Sequence, residues 1–208
     1  MFTQRAGKNC IPLCSRTVII AEARLRIPKQ NIVRIAESIV LVAEGRSLFV
    51  YRGAVQKSMY RFKYANRRRY ARFLAEEAMQ RWENWMREKR IEAIVPVPMY
   101  LKKERYRGYN QAALFGRALS EKMDIPCIPR LMIRVKDTRP QKELNGRERE
   151  NNVKNAFQSP DNVVKYKRIL IVDDIYTTGS TVEAVAERLK EAGAEQVYVL
   201  TACIGRGF

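Results

Sequence analysis

Histidine is absent from all 208 residues. That removes the side chain best suited to proton transfer near neutral pH and the commonest nitrogen ligand for transition metals. Cysteine is scarce: Cys10, Cys14, Cys127 and Cys203 are scattered and make no disulfide framework. Cys127 and Cys203 lie in apolar, strand-like runs and read as reduced core residues. Cys10 and Cys14 are spaced C-x3-C with no second pair behind them. Zinc therefore lacks its usual four ligands, unless two chains share an ion or carboxylates complete the site. No run of 18 apolar residues occurs, so no transmembrane helix is expected. The apolar stretch 18–21 is too short for the core of a signal peptide, and a cytoplasmic location is the default expectation. Internal repeats and low-complexity segments are also missing.

Acidic residues are the minority charge. Forty Lys plus Arg against 22 Asp plus Glu leave a net charge of +18. Such an excess attracts polyanions, nucleic acid first and polyphosphorylated small molecules second. The imbalance is sharpest between Lys57 and Arg72, where Arg61, Lys63, Arg67, Arg68 and Arg69 follow one another with no acid between. On adjacent helical turns these cations form either a polyanion-binding face or a solvated surface. Nucleic acid is the candidate polyanion for Arg61, Lys63, Arg67, Arg68 and Arg69.

What is present in strength is one motif, residues 168–181. Ile169, Leu170, Ile171 and Val172 are an unbroken apolar run of the kind that suits a parallel strand buried on both faces. Asp173 and Asp174 follow at its carboxyl end, where ligands of open α/β sheets bind. Carboxylates there accept hydrogen bonds from sugar hydroxyls and orient hydrated magnesium. Thr177, Thr178, Gly179, Ser180 and Thr181 are short side chains around one glycine, which lets backbone approach an anion. A helix comes next. Val182, Val185, Ala186 and Leu189 share a face, Ser180 and Glu183 have capping-box spacing, and Gly193 is a stop. Free N–H groups and the helix dipole favour an anion at that N-terminus. No lysine follows the glycine as a P-loop requires, and no G-x-G-x-x-G fingerprint exists.

The rest of the chain alternates strands and helices. Residues 47–51 read as a strand, 55–64 and 67–89 as helices, and 93–97 as a strand. A helix is expected over 109–123, then strands over 127–133 and 168–173, a helix over 181–192 and a strand over 196–203. That order predicts an α/β fold, a parallel sheet with helices on both faces. Tyr70, Phe73, Leu74, Ala78, Trp82 and Trp85 approximate one stripe and read as core. Residues 1–46 are poorly patterned and are expected to be a small N-terminal element, with 47–208 as the main domain. Within it, Ile32, Ile35, Ala36 and Ile39 have helical spacing, and Gly45 is the expected stop. The loop after 93–97 holds Lys102, Lys103, Arg105, Arg107 and Gly108, a basic cluster suited to a second phosphate group. Asn110 and Gln111 begin the following helix, placed to orient a ligand. Residues 134–155 form a third basic, apolar-poor segment, and long polar segments of this sort are lids or disordered.

The 168–181 motif resembles the phosphoribosyl-pyrophosphate (PRPP) signature of type I phosphoribosyltransferases. The stretches 61–64, 95–98, 105–111, 138–151 and 156–157 resemble the ComF (ComFC) competence family. The resemblance runs from about residue 48 onward. It implies a type I phosphoribosyltransferase fold, PRPP bound with magnesium, and ribosyl transfer to an acceptor. By it, Asp173 and Asp174 hold the ribose hydroxyls and help hold magnesium, through water or PRPP. Residues 177–181 cradle the 5′-phosphate, with Arg105, Arg107, Lys102 and Lys103 at the pyrophosphate. Arg139, Gln141 and Arg147 make contacts when the flexible loop closes. Competence machinery and single-stranded DNA are the implied partners. A non-catalytic DNA-handling protein and a PRPP-sensing regulator are the competing readings. Two departures stand out. Thr177 occupies the place where purine-salvage relatives carry an acid as general base, and the usual four-cysteine finger is reduced to Cys10 and Cys14.

Overall fold

The computed structural model describes residues 41–136, 156–159 and 165–205. Cys10, Cys14, Arg139, Gln141 and Arg147 lie outside them, as does the helical spacing of residues 32–39.

Four parallel strands make the sheet: β1 (Glu44–Val50), β2 (Ala93–Pro96), β5 (Arg168–Tyr176) and β6 (Gln196–Ile204), in the order β1-β6-β5-β2. A two-residue antiparallel pair, β3 (Ile133–Arg134) with β4 (Phe157–Gln158), stands apart. Helices α1 (Gly53–Tyr64), α2 (Tyr70–Glu88), α3 (Leu101–Arg107), α4 (Gln111–Met123) and α5 (Ser180–Glu191) complete the described elements.

The period-2 alternation of β5 decides the layering. Leu170 and Val172 point into a core with Phe62, Leu74, Trp85, Phe115 and Leu119 from α1, α2 and α4. Ile169 and Ile171 point into the opposite core with Val182, Val185 and Leu189 of α5. All four β5 residues are fully buried, worth about 1.5–3 kcal/mol per large side chain. That explains the unbroken apolar run: both faces of the strand are covered. The stripe on α2 is core as expected, and the Arg46 guanidinium of β1 stacks on it, 5.2 Å from Trp82 and 5.0 Å from Trp85.

Several expectations change. Gly45 is not a helix stop; it is the second residue of β1 and pairs with Val199. Helix α2 starts at Tyr70 rather than 67, because Arg67, Arg68 and Arg69 form the turn from α1. Residues 127–132 form no strand, and of the expected 127–133 only Ile133 is a strand residue, in β3. Cys127 makes one isolated bridge to Ile94, and then Pro129, which has no N–H to give, ends the ladder. The basic stretch after β2 is the helix α3 rather than a loop. It buries no side chain and so left no apolar periodicity to read; Gly108 ends it in the left-handed region at φ +80°. Ser180 does not cap α5: Gly179 is the cap residue, and no side-chain cap bond forms there.

Candidate functional site

Strand lengths create the site. β2 ends at Pro96, opposite Val172, and Val97 N–H makes the last bond to Val172 C=O. β5 continues through Tyr176 beside β6. Asp173 and Asp174 are therefore strand residues that stand at a step in the sheet, with no β2 neighbour beyond them. The expected strand over 168–173 runs on to Tyr176, so both acids lie within it, at the carboxyl edge of the sheet. Strand alternation turns Asp174 toward the α1 side and Asp173 toward the α5 side.

Each acid meets a different environment. The Asp174 carboxylate takes an ion pair from Lys63, Nζ to Oδ2 2.9 Å, with both side chains mostly buried. The Asp174 N–H donates to Asp173 Oδ1 at 2.8 Å. Burial, then the neighbouring Asp174 charge, holds the Asp173 carboxyl well above the ordinary carboxylate range; Lys63 and Arg134 offset this in part. For Lys63, burial works against the charged form, but Asp174 and Asp173 outweigh it and raise its pKa, with Arg107 opposing. Lys63 thus belongs with the acids and not with the outer basic face assigned from sequence. Arg134, in β3, is near enough to act on Asp173, a placement the sequence did not signal.

The turn beyond the acids is residues 177–179, and α5 begins at Ser180. Thr177 and Thr178 are exposed, and the hydroxyls of Thr178 and Ser180 lie 2.8 Å apart. Gly179 has φ +89°. A Cβ there would collide with the Tyr176 hydroxyl and sit 2.9 Å from its Cζ, so the Tyr176 ring closes one side of the turn. Of the α3 cations, Arg107 comes inward: its guanidinium donates to Gln111 Oε1 at 2.7 Å and stacks 4.9 Å from the Tyr64 ring. Lys102, Lys103 and Arg105 stay exposed on the helix surface. Asn110 caps α4 by accepting from Ala112 N–H at 3.0 Å, and ties it to Val97 C=O at 2.9 Å. Gly116 lets α4 settle on β2, since a Cβ would lie 3.2 Å from Ile94 Cγ2 and Cys127 Sγ.

In sequence, residues 110–206 match the family model described as the phosphoribosyl transferase domain. The chain carries a phosphoribosyl transferase domain. Its α/β architecture, a four-stranded parallel sheet flanked by helices, is consistent with the type I fold. The chain is 42% identical over 110 residues to Competence protein F of Haemophilus influenzae, a match covering 52% of this chain and 48% of that protein. It is 36% identical over 110 residues to DNA utilization protein YhgH of Escherichia coli K12, covering 53% and 48%. It is 26% identical over 188 residues to Competence protein ComFC of Bacillus subtilis, covering 90% and 73%. The chain spans about half the length of the first two relatives.

The transferase domain implies magnesium, and the donor set among the described residues fits one form of it. The described residues hold no cluster of three or more His, Cys, Asp or Glu side chains able to cage a metal. Two adjacent carboxylates supply hard oxygen ligands, which fits a magnesium ion that arrives with substrate phosphates and keeps its waters. Beside the site two buried atoms find no hydrogen-bond partner among the described residues: Gln111 Nε2, and Thr201 Oγ1 in register with Asp173. No described helix is long and apolar enough to cross a membrane. A groove of about 820 Å³ lies along α2, lined by Phe73, Glu77, Arg81 and Lys122; no candidate site residue lines it.

Proposed function

We propose that this chain binds PRPP with magnesium across the step at the end of β2 and transfers its ribosyl phosphate to an acceptor. The observation that carries the reading is the sequence of Asp173, Asp174 and the glycine turn along one strand end, with α5 starting directly behind it. In this reading Asp173 and Asp174 accept hydrogen bonds from the ribose hydroxyls. The backbone of residues 177–181, with the hydroxyls of Thr177, Thr178, Ser180 and Thr181, takes the 5′-phosphate at the positive end of α5. Arg107 and Arg105 face the pyrophosphate, with Lys102 and Lys103 farther out. Arg139, Gln141 and Arg147 close over the ligand.

The reaction breaks the bond from ribose C1 to pyrophosphate oxygen, and the electron pair leaves with pyrophosphate. Positive charge grows on the ring, and a nucleophile on the acceptor forms the new bond at C1. Magnesium would supply charge neutralisation on the leaving pyrophosphate. The protein contributes position, and cations already aimed at the charge that develops. Asp174→Asn is expected to weaken PRPP binding in the presence of magnesium by about 10–100-fold, the scale of one lost charged hydrogen bond. Calorimetric titration measures it, and wild-type affinity in the variant would refute the assignment.

A second reading, contact with single-stranded DNA, is favoured by the outer surface of α1 and α3. Tyr60, Tyr64 and Tyr106 are 62%, 61% and 95% exposed, among exposed Lys57, Arg61, Arg67, Arg69 and Arg105. Helix α2 has no acid in its first turn, and Arg67, Arg68 and Arg69 crowd its positive end, an arrangement that a bound polyanion would relieve. Aromatic faces amid cations are what sequence-tolerant stacking of bases uses. Binding of an oligothymidylate should weaken steeply with salt, with a log–log slope of about −0.7 per phosphate neutralised. A flat response in fluorescence anisotropy would remove this reading.

A further inference from the structure

The Lys63 ammonium sits 2.9 Å from Asp174 Oδ2, so a metal ion or metal-bound water that takes the same lone pair competes with it. Lys63 comes from the last turn of α1, far from the transferase motif in sequence, and reaches the acids with a flexible four-carbon stem. Its surroundings are not neutral. Arg107 stands close enough to oppose its charge and is itself fixed by Gln111 and Tyr64. Pulled away from Asp174, the ammonium would be left half-buried next to another cation. Asp173 offsets that only in part, and an incoming anion supplies the rest.

We propose that Lys63 makes metal binding at the acids conditional on the phosphates of the ligand: its ammonium leaves Asp174 only by passing to the pyrophosphate end of the incoming molecule. A divalent cation alone would have to displace Lys63 and leave it with Asp173 as its remaining counter-charge, against Arg107. A divalent cation arriving with a polyphosphate takes Asp174 and supplies a new counter-charge in one step. Lys63 is then a ligand-binding residue, and the coupling between metal and polyphosphate is reciprocal, as linkage requires. The inference rests on the PRPP reading and adds to it a specific role for a residue outside the recognised motif.

The test uses Lys63→Met and Lys63→Arg in the full chain. Manganese binding without ligand is followed by electron paramagnetic resonance, PRPP binding with magnesium by calorimetry, and folding by thermal melts. Lys63→Met is expected to bind manganese alone at least about 5-fold more tightly, because nothing competes for Asp174. The same variant should bind PRPP with magnesium at least about 10-fold more weakly, because a charge-assisted contact is gone. Lys63→Arg keeps the charge and should stay close to wild type in both. Opposite shifts in the one variant support the proposal. Parallel losses would mean that Lys63 only organises the acids, and unchanged values that it does not compete; either overturns it. Absence of PRPP binding by the wild type would instead sink the underlying function, and this inference with it.

Discussion

Asp173→Asn melts at a higher temperature than the wild type at pH 8 and binds PRPP with magnesium at least about 10-fold more weakly. The two effects share one cause. Burial beside Asp174 raises the Asp173 pKa above its unfolded value, so the folded protein holds a proton that the unfolded chain releases. For a group with a raised folded pKa, stability is fully present below the unfolded pKa, near 4, and is lost as pH rises through the folded one. At pH 5 the side chain is largely protonated in the fold and only the first part of the stability has been lost, so an amide of the same shape changes less. At pH 8 the wild type bears much of the cost, and the amide removes it. Asn also keeps an oxygen for the bond from Asp174 N–H. A gain of about 1 kcal/mol corresponds to roughly 2–4 °C for a domain of this size. Melts at the two pH values, with the difference between variant and wild type growing from pH 5 to pH 8, check the stability half. A difference independent of pH would show that Asp173 titrates normally. Calorimetry checks the binding half, where a carboxylate that accepts sugar hydroxyls is replaced by a weaker acceptor.

Gly179→Ala damages both the turn and the ligand site. At φ +89° an L-residue is strained by roughly 1–2 kcal/mol. The added Cβ would also displace the Tyr176 ring, which closes the side of the turn, and would press on Glu183 Oε1 at 3.2 Å. The ring moves or the turn opens, and in either case the N–H groups at the start of α5 lose their alignment. The expected outcome is a fall of several degrees in melting temperature and a loss of at least about 10-fold in affinity for ribose 5-phosphate. Unchanged phosphate affinity with lowered stability would mean that the turn is structural and that the 5′-phosphate binds elsewhere.

The two substitutions probe features that the sequence made equally legible. The apolar run of β5, the two acids behind it, the glycine turn and the amphipathic face of α5 are consecutive in the chain, so local pattern carried them. The core stripe of α2 was legible for the same reason. Boundaries and local conformations were less so. Pro129 cut short a run that looked like a strand, and α3 hid because an exposed helix has no apolar period.

By itself the sequence determined that residues 168–191 form a strand, acids, a glycine turn and a helix, because those signals depend on neighbours a few positions away. Only the tertiary structure decided what faces the acids. The ending of β2 one residue short of Asp173 opens the step, and the packing of α1 over the sheet edge delivers Lys63 to Asp174. An ion pair between residues so distant in the chain leaves no local periodicity, since it is made by the folding of the elements and not by their sequences.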